Sequence, residues 1–338
     1  MKAIYVIEPG NIEIKEIKEP QILHSDDVKI KVKAAGICGS DVHIYHGNSA
    51  VATYPRVIGH EVVGDIVEVG EGVRNFKIND RVVVDPINNC DHCTNCNKGR
   101  PNLCTNLKVR GVHEDGGYRE FTVAPERSIY KIPDFISYEE AVMIEPFTVA
   151  AQVNSRGQVE KYDSVFIMGS GPAGLSALKV AKNKGARCIV SDLVDERLEK
   201  AKQLGANYVI NPKKQDVKEC IDFYTNNDGA NVVIDAVGTA NSFEQAMEVV
   251  SKGGRIVVLG FTDKASQIPQ LLITKDELDI SGSRLHNNKF PEVIKWFENG
   301  EINGNDYISH IYPYYKIQEA LNFIETEPMK VFKVVLMF

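Results

Sequence analysis

Residues 164–192 read SVFIMGSGPAGLSALKVAKNKGARCIVSD. A short unbroken apolar run is followed by a G-x-G-x-x-G turn, a segment with helical spacing, and a second apolar run that ends in an acid. Continuous apolar strands alternating with helices are buried on both faces, so this stretch predicts a parallel sheet covered by helices. Gly169 permits the tight turn, Gly171 lets backbone approach a pyrophosphate, and Gly174 lets the helix lie close to the sheet. Pro172 suits the first helical turn, where its missing N–H would have had no helical partner. Asp192 closes the second strand, the position of an acid that accepts hydrogen bonds from both adenosine ribose hydroxyls. A carboxylate there repels a 2'-phosphate, which favours NAD over NADP. The competing reading is a solvated strand-end aspartate, and Arg197 is a residue that could serve a phosphate instead.

The same alternation continues downstream. A helix from about Asp195 is closed by Gly205, then come YVIN (208–211), NVVIDAVG (231–238), a helix over Ser242–Val250, a stop at Gly253-Gly254, and RIVVLG (255–260). Past about residue 290 the pattern gives another helix and a strand-like tail, Lys333–Phe338, which could rejoin an earlier domain. Before residue 150 the periodicity is different. Val28, Ile30 and Val32 alternate with Lys29, Lys31 and Lys33, the period of half-buried strands. Residues 59–84, GHEVVGDIVEVGEGVRNFKINDRVVV, read as short strands joined by Gly and Asn-Asp turns, as a compact antiparallel β-barrel requires. A chain of 338 residues is long enough for two domains.

Cys90, Cys93, Cys96 and Cys104 follow the spacing C-x2-C-x2-C-x7-C. Four thiolates close a tetrahedral shell around zinc and leave no open position, so this would be a structural site. Polar turn formers fill the gaps, as in a loop held by metal rather than by a core. Two disulfides or an iron–sulfur cluster are the alternatives. No export signal is visible to favour the first, and the bacterial cluster run C-x3-C-P is absent. Cys188 and Cys220 are left as expected buried small residues. Further upstream, Cys38 in ICGSDVH and His60-Glu61 in GHE offer thiolate, imidazole and carboxylate, all good zinc ligands. Taken singly, Cys38 reads as a buried small residue and His60 as a core histidine; the company of a dinucleotide fold turns them into a candidate catalytic metal site. Ser40 and His43 could relay a proton to solvent, or be a turn hydroxyl and an exposed histidine. A net charge of −7 opposes nucleic-acid binding. No apolar run reaches the ~18 residues of a membrane helix. A reducing, cytoplasmic setting is expected from these features.

The ordered set ICGSDVH, GHE, the four-cysteine lobe, EPFTVA and GSGPAG resembles the zinc-dependent medium-chain dehydrogenases over essentially the whole chain. The likeness is greatest to the sorbitol, threonine and sugar-acid branch, nearest the bacterial starvation-sensing and L-galactonate-type oxidoreductases. The resemblance implies an α/β protein: a GroES-like antiparallel β-barrel over 1–149 with a zinc lobe at about 86–110, an inserted Rossmann domain over 150–288, and a return over 289–338, with an active-site cleft between the two domains. It implies two zinc ions per chain. It assigns Cys38, His60 and Glu61 to the catalytic zinc, with Glu145 reaching the metal directly or through water, and Cys90, Cys93, Cys96 and Cys104 to the structural one. NAD contacts would include Ala173, Asp192, Arg197, Leu259, Gly260, Phe261, Ser283 and Arg284, although Ser283–Lys289 departs from the sorbitol pattern. A homodimer or homotetramer is also implied. The expected reaction oxidises a secondary hydroxyl of a polyol or sugar acid, with His286, Asn287 and Lys289 either holding a carboxylate or forming a solvated loop. Threonine or simple alcohol oxidation, and a non-catalytic zinc-containing binding protein, are the rival expectations.

Overall fold

The computed structural model describes all residues, Met1–Phe338. The chain divides into two compact units, Met1–Glu145 with Phe290–Phe338, and Pro146–Lys289. The first junction lies earlier than the expected 149, inside the helix Ile144–Arg156. No helix is long and apolar enough to cross a membrane.

The inserted unit carries a six-stranded parallel sheet in the spatial order Tyr208–Ile210, Arg187–Ser191, Ser164–Met168, Ala230–Asp235, Val250–Val258, Asp279–Gly282. Chain order reverses beside Ser164–Met168, which puts the glycine turn at the switch point where open α/β sheets bind ligands. Register pairs Phe166 with both Ile189 and Val233, and all three side chains are fully buried. Burial of each contributes on the order of 1.5–3 kcal/mol. One expectation fails here. Gly253 and Gly254 do not stop a helix; the helix spans Ala240–Val249 and both glycines lie inside the strand that follows. Gly254 is needed for packing, since a Cβ would stand 2.5 Å from Val250 Cγ2.

The other unit is built on a sheet whose spine is Asp27–Ile37. This strand pairs antiparallel with Glu61–Val69, Phe121–Pro125 and Lys333–Met337. It is therefore central, and the expected alternation holds at exposed Lys31 and partly exposed Lys33 but not at Lys29, which is 7% exposed with its ammonium 2.9 Å from Glu19 and 5.3 Å from the centre of the Phe121 ring. The C-terminal tail does rejoin this unit. It pairs parallel with Ile308–Pro313, so the sheet is not wholly antiparallel, and the helix Ile317–Thr326 makes the crossover that a parallel pair needs.

Candidate active site and metal centres

Strand register assembles the first cluster. Gly36 pairs with Glu61 at one end of the central strands, and Cys38 follows two residues later as the N-cap of the helix Gly39–Tyr45. Glycine is required at 36, because a Cβ would meet Glu61 Oε2 at 1.9 Å. The ligand atoms of Cys38, His60 and Glu61 all lie within 4.8 Å of one another. One sulfur, one imidazole nitrogen and a carboxylate oxygen, converging beneath the surface, form a donor set suited to zinc.

Three residues that sequence reading did not single out organise this cluster. Asp41 is fully buried; its carboxylate accepts hydrogen bonds from the backbone N–H of Cys38 (2.9 Å) and Gly59 (3.1 Å) and stands 3.6 Å from His60 Nδ1. Tyr118 places its hydroxyl 2.7 Å from the Gly36 carbonyl and 3.1 Å from Asp41. Burial alone would lower the pKa of His60, but the charges of Asp41 and Cys38 outweigh it and hold the imidazole well above its ordinary 6.5. A carboxylate behind a ligating imidazole orients the ring and raises its basicity. Lys333, from the terminal strand, places Nζ at 2.5 and 2.7 Å from the two carboxylate oxygens of Glu61, and both side chains are almost fully buried. Its own desolvation is overcome by Glu61, then Cys38 and Glu145, so its pKa is raised. The local signal for Asp41 was its spacing of three after Cys38; Lys333 had none.

Glu145 is buried on the first turn of Ile144–Arg156 but lies outside the three-residue cluster. Ser40 is half-buried and His43 exposed on the helix that Cys38 caps. Their spacing of three puts both on one helical face.

The second centre is the lobe. Sγ atoms of Cys90, Cys93, Cys96 and Cys104 lie within 4.8 Å of one another, and those of Cys93 and Cys96 are 3.5 Å apart. A tetrahedral shell with bonds of ~2.3 Å has sulfur–sulfur edges of about 3.8 Å, so the four are spaced for one ion, and too far apart for disulfides at ~2.05 Å. Backbone N–H groups of Cys90 and Asn106 each donate to Cys104 Sγ at 3.3 Å. Burial raises the Cys104 thiol to about 11 despite its two donors, whereas donors from Cys96 and Thr105 lower the Cys93 thiol to about 5. Such donors stabilise thiolates that a metal requires. Cys188 is fully buried as expected, whereas Cys220 is only partly so.

The inserted unit holds the glycine turn. Gly169 has φ +89°, and a Cβ on Gly174 would stand 1.9 Å from the Gly169 carbonyl oxygen. Gly171 caps the helix Pro172–Asn183, whose first N–H groups are left for an anion. Asp192 follows the second strand and is not a freely solvated aspartate: its side chain is 9% exposed, Ser170 donates to it, and Arg197 stands 4.0 Å away. Asp235, also missed by sequence reading, is fully buried at the end of the strand Ala230–Asp235. It accepts from Val237 N, Gly238 N and Ser242 Oγ at 3.0, 3.1 and 2.9 Å. Gly260 is packed against Gly238, where a Cβ would come within 2.2 Å of Cα. Leu259 precedes it and Phe261, 81% exposed, follows. Ala173 and Arg284 are exposed, and the Ser283 hydroxyl is buried without a protein partner, an orphaned group of the sort a ligand satisfies. His286 is 2% exposed, which removes the solvated-loop reading for that residue.

Comparison with known proteins adds a lineage to these sites. Residues 24–134 match the alcohol dehydrogenase GroES-like domain and 172–299 the zinc-binding dehydrogenase domain. The chain is 42% identical to the starvation-sensing protein RspB of Escherichia coli K12, covering 100% of this chain and 99% of that one. It is 36% identical to the sorbitol dehydrogenase of Bacillus subtilis 168, over 95% and 92% of the two chains. A solved structure of the rspB alcohol dehydrogenase of E. coli CFT073, complexed with NADH, superposes with a TM-score of 0.95 at 41% identity, covering 100% of this chain and 99% of that chain.

Proposed function

Because this chain belongs to the zinc-dependent medium-chain dehydrogenases and is an oxidoreductase of that family, we propose that it oxidises a secondary hydroxyl of a polyol or sugar acid to a ketone, with NAD as hydride acceptor. The convergence of Cys38, His60 and Glu61 carries this reading, with the four-cysteine lobe as a second, structural zinc site. Zinc at the first cluster would supply Lewis acidity that lowers the pKa of a substrate hydroxyl. The residues of the chain do the rest. Cys38, His60 and Glu61 would hold the ion, Asp41 would fix the imidazole, and Glu145 would add a buried acid. Ser40 and His43 take the hydroxyl proton towards solvent. Asp192 would receive the adenosine ribose and the N-terminus of Pro172–Asn183 the pyrophosphate. NAD bound there would supply a hydride acceptor for the carbinol hydrogen, so that a ketone would remain. Buried Glu145, where simple alcohol dehydrogenases of the family use cysteine, supports a hydroxyl-rich substrate, and the Lys289 ammonium and the His286 imidazole support one bearing a carboxylate.

The test joins metal analysis to a substrate panel. The expected outcome is two zinc ions per chain, falling to one in Cys38→Ser with NAD binding retained, and preferential oxidation of galactonate or gulonate epimers or sorbitol over threonine and ethanol. Preference for a short unbranched alcohol would overturn the substrate assignment. A single zinc confined to the lobe, with no turnover, would favour a binding role over catalysis.

A further inference from the structure

Asp192 sits in an unusual grip. Ser170, the residue between the first two glycines of the turn, is fully buried and directs both its backbone N–H (2.8 Å) and its hydroxyl (2.9 Å) to Asp192 Oδ2. Val194 N–H donates to Oδ1 at 3.0 Å. A carboxylate offers about four acceptor positions. Three are filled by the protein, and the one left open is on Oδ1, so the acid can accept from one ribose hydroxyl rather than from the two expected of it in the sequence. The Ser170 hydroxyl has no route to solvent, so its role lies in this contact. Arg197 Nη1 stands 4.0 Å from Oδ2, an ion pair beyond hydrogen-bond range.

We propose that Ser170 is a specificity-determining positioning residue, which locks the Asp192 carboxylate so that its one open acceptor site meets the adenosine ribose and cannot swing aside for a 2'-phosphate. This rests on the NAD reading of the turn. A loosely held aspartate can rotate away, and Arg197 then becomes available to pair with the phosphate. A tethered one keeps its charge in place, and NADP must approach it directly. Discrimination thus depends on the immobility of the acid as well as on its presence.

Direct titration of the purified full chain with NAD and with NADP, followed by calorimetry and without substrate, tests the inference. Ser170→Ala should lower the ratio of the two affinities roughly tenfold, the effect of removing one charge-assisted hydrogen bond. Within Asp192→Asn, whose own ratio should already be reduced, the same change should alter the ratio by less than about twofold, because the two residues act as a unit. Ser170→Gly, which also lacks the hydroxyl, serves where the alanine variant fails to fold. If Asp192→Asn lowers the ratio but neither Ser170 variant does, the positioning role is wrong and the cofactor reading stands. Equal loss of affinity for both nucleotides would mark Ser170 as part of the loop scaffold only, and would overturn the inference. Should Asp192→Asn leave the ratio unchanged, the NAD reading itself fails, and this inference with it.

Discussion

Lys333 and Glu61 are 272 positions apart in the chain and form an ion pair with almost no solvent access. Two desolvated charges are costly to bury, and removal of one partner leaves the other uncompensated. In metal-free protein Lys333→Met should therefore cost about 3–5 kcal/mol, read from urea unfolding. Zinc offers Glu61 another cation, so the metal should stabilise the variant more than the parent. Equal stabilisation of both would show that Glu61 is not drawn upon by the metal. His60 makes a second prediction. Its folded pKa is raised above 6.5, so in metal-free protein the proton it holds against Asp41 and Cys38 stabilises the fold below that pH. That contribution is lost as pH rises through the elevated folded value. A metal must displace this proton, and the apparent zinc affinity of the site should climb with pH above 6.5. Chelator competition across that window measures it, and a flat profile with full zinc occupancy would contradict it.

At the scale of elements, the lobe owes its form to four sulfurs and short turns rather than to a core. Its helix Thr94–Asn97 buries no residue at all. Cys93→Ser should lose one zinc per chain and lower the melting temperature, yet leave the Cys38 cluster able to bind its ion; retention of two zincs by metal analysis would refute the four-ligand assignment. The glycine turn behaves oppositely, since it fails by crowding. Gly174→Ala would thrust a methyl group 1.9 Å from a backbone carbonyl, a contact that backbone must move to relieve. It should destabilise the inserted unit by at least the roughly 1–3 kcal/mol typical of overpacking and weaken NAD binding. Both elements were legible in the sequence because their signals are local: cysteine spacing, and glycines between a strand and a helix. Gly253-Gly254 misled because the same two residues that stop helices also permit close packing within a strand. Asp41 lies inside the ICGSDVH motif, yet what it does depends on Tyr118 and Gly59, brought in by tertiary pairing. Lys333 reads as the first residue of a tail strand, and nothing near it in sequence announces Glu61.

For the whole molecule, continuity along the chain separates the two units. The inserted unit is one segment, Pro146–Lys289, whereas the other needs both Met1–Glu145 and the C-terminal residues from Phe290. The terminal strand supplies one full partner of Asp27–Ile37, pairing Val334 with Ile37 through to Met337 with Ala34, and its Val334, Val335 and Leu336 are at most 1% exposed. Without it, the spine strand has an open edge along this stretch, a buried carboxylate loses its counter-charge, and the core loses three aliphatic side chains at about 1.5–3 kcal/mol each. Those losses are comparable to the 5–15 kcal/mol that holds a typical domain folded. A fragment of residues 1–145 should accordingly fail to fold, whereas 146–289 should melt cooperatively and bind ADP-ribose on its own. Circular dichroism melts of both fragments, with and without ADP-ribose, decide the matter. Cooperative unfolding of 1–145 alone would mean that the tail strand decorates a sheet already complete. Zinc reconstitution of the fragment tests the same point at the site: without the terminal strand to complete the sheet, Cys38, His60 and Glu61 should not be held together, and no ion should bind there.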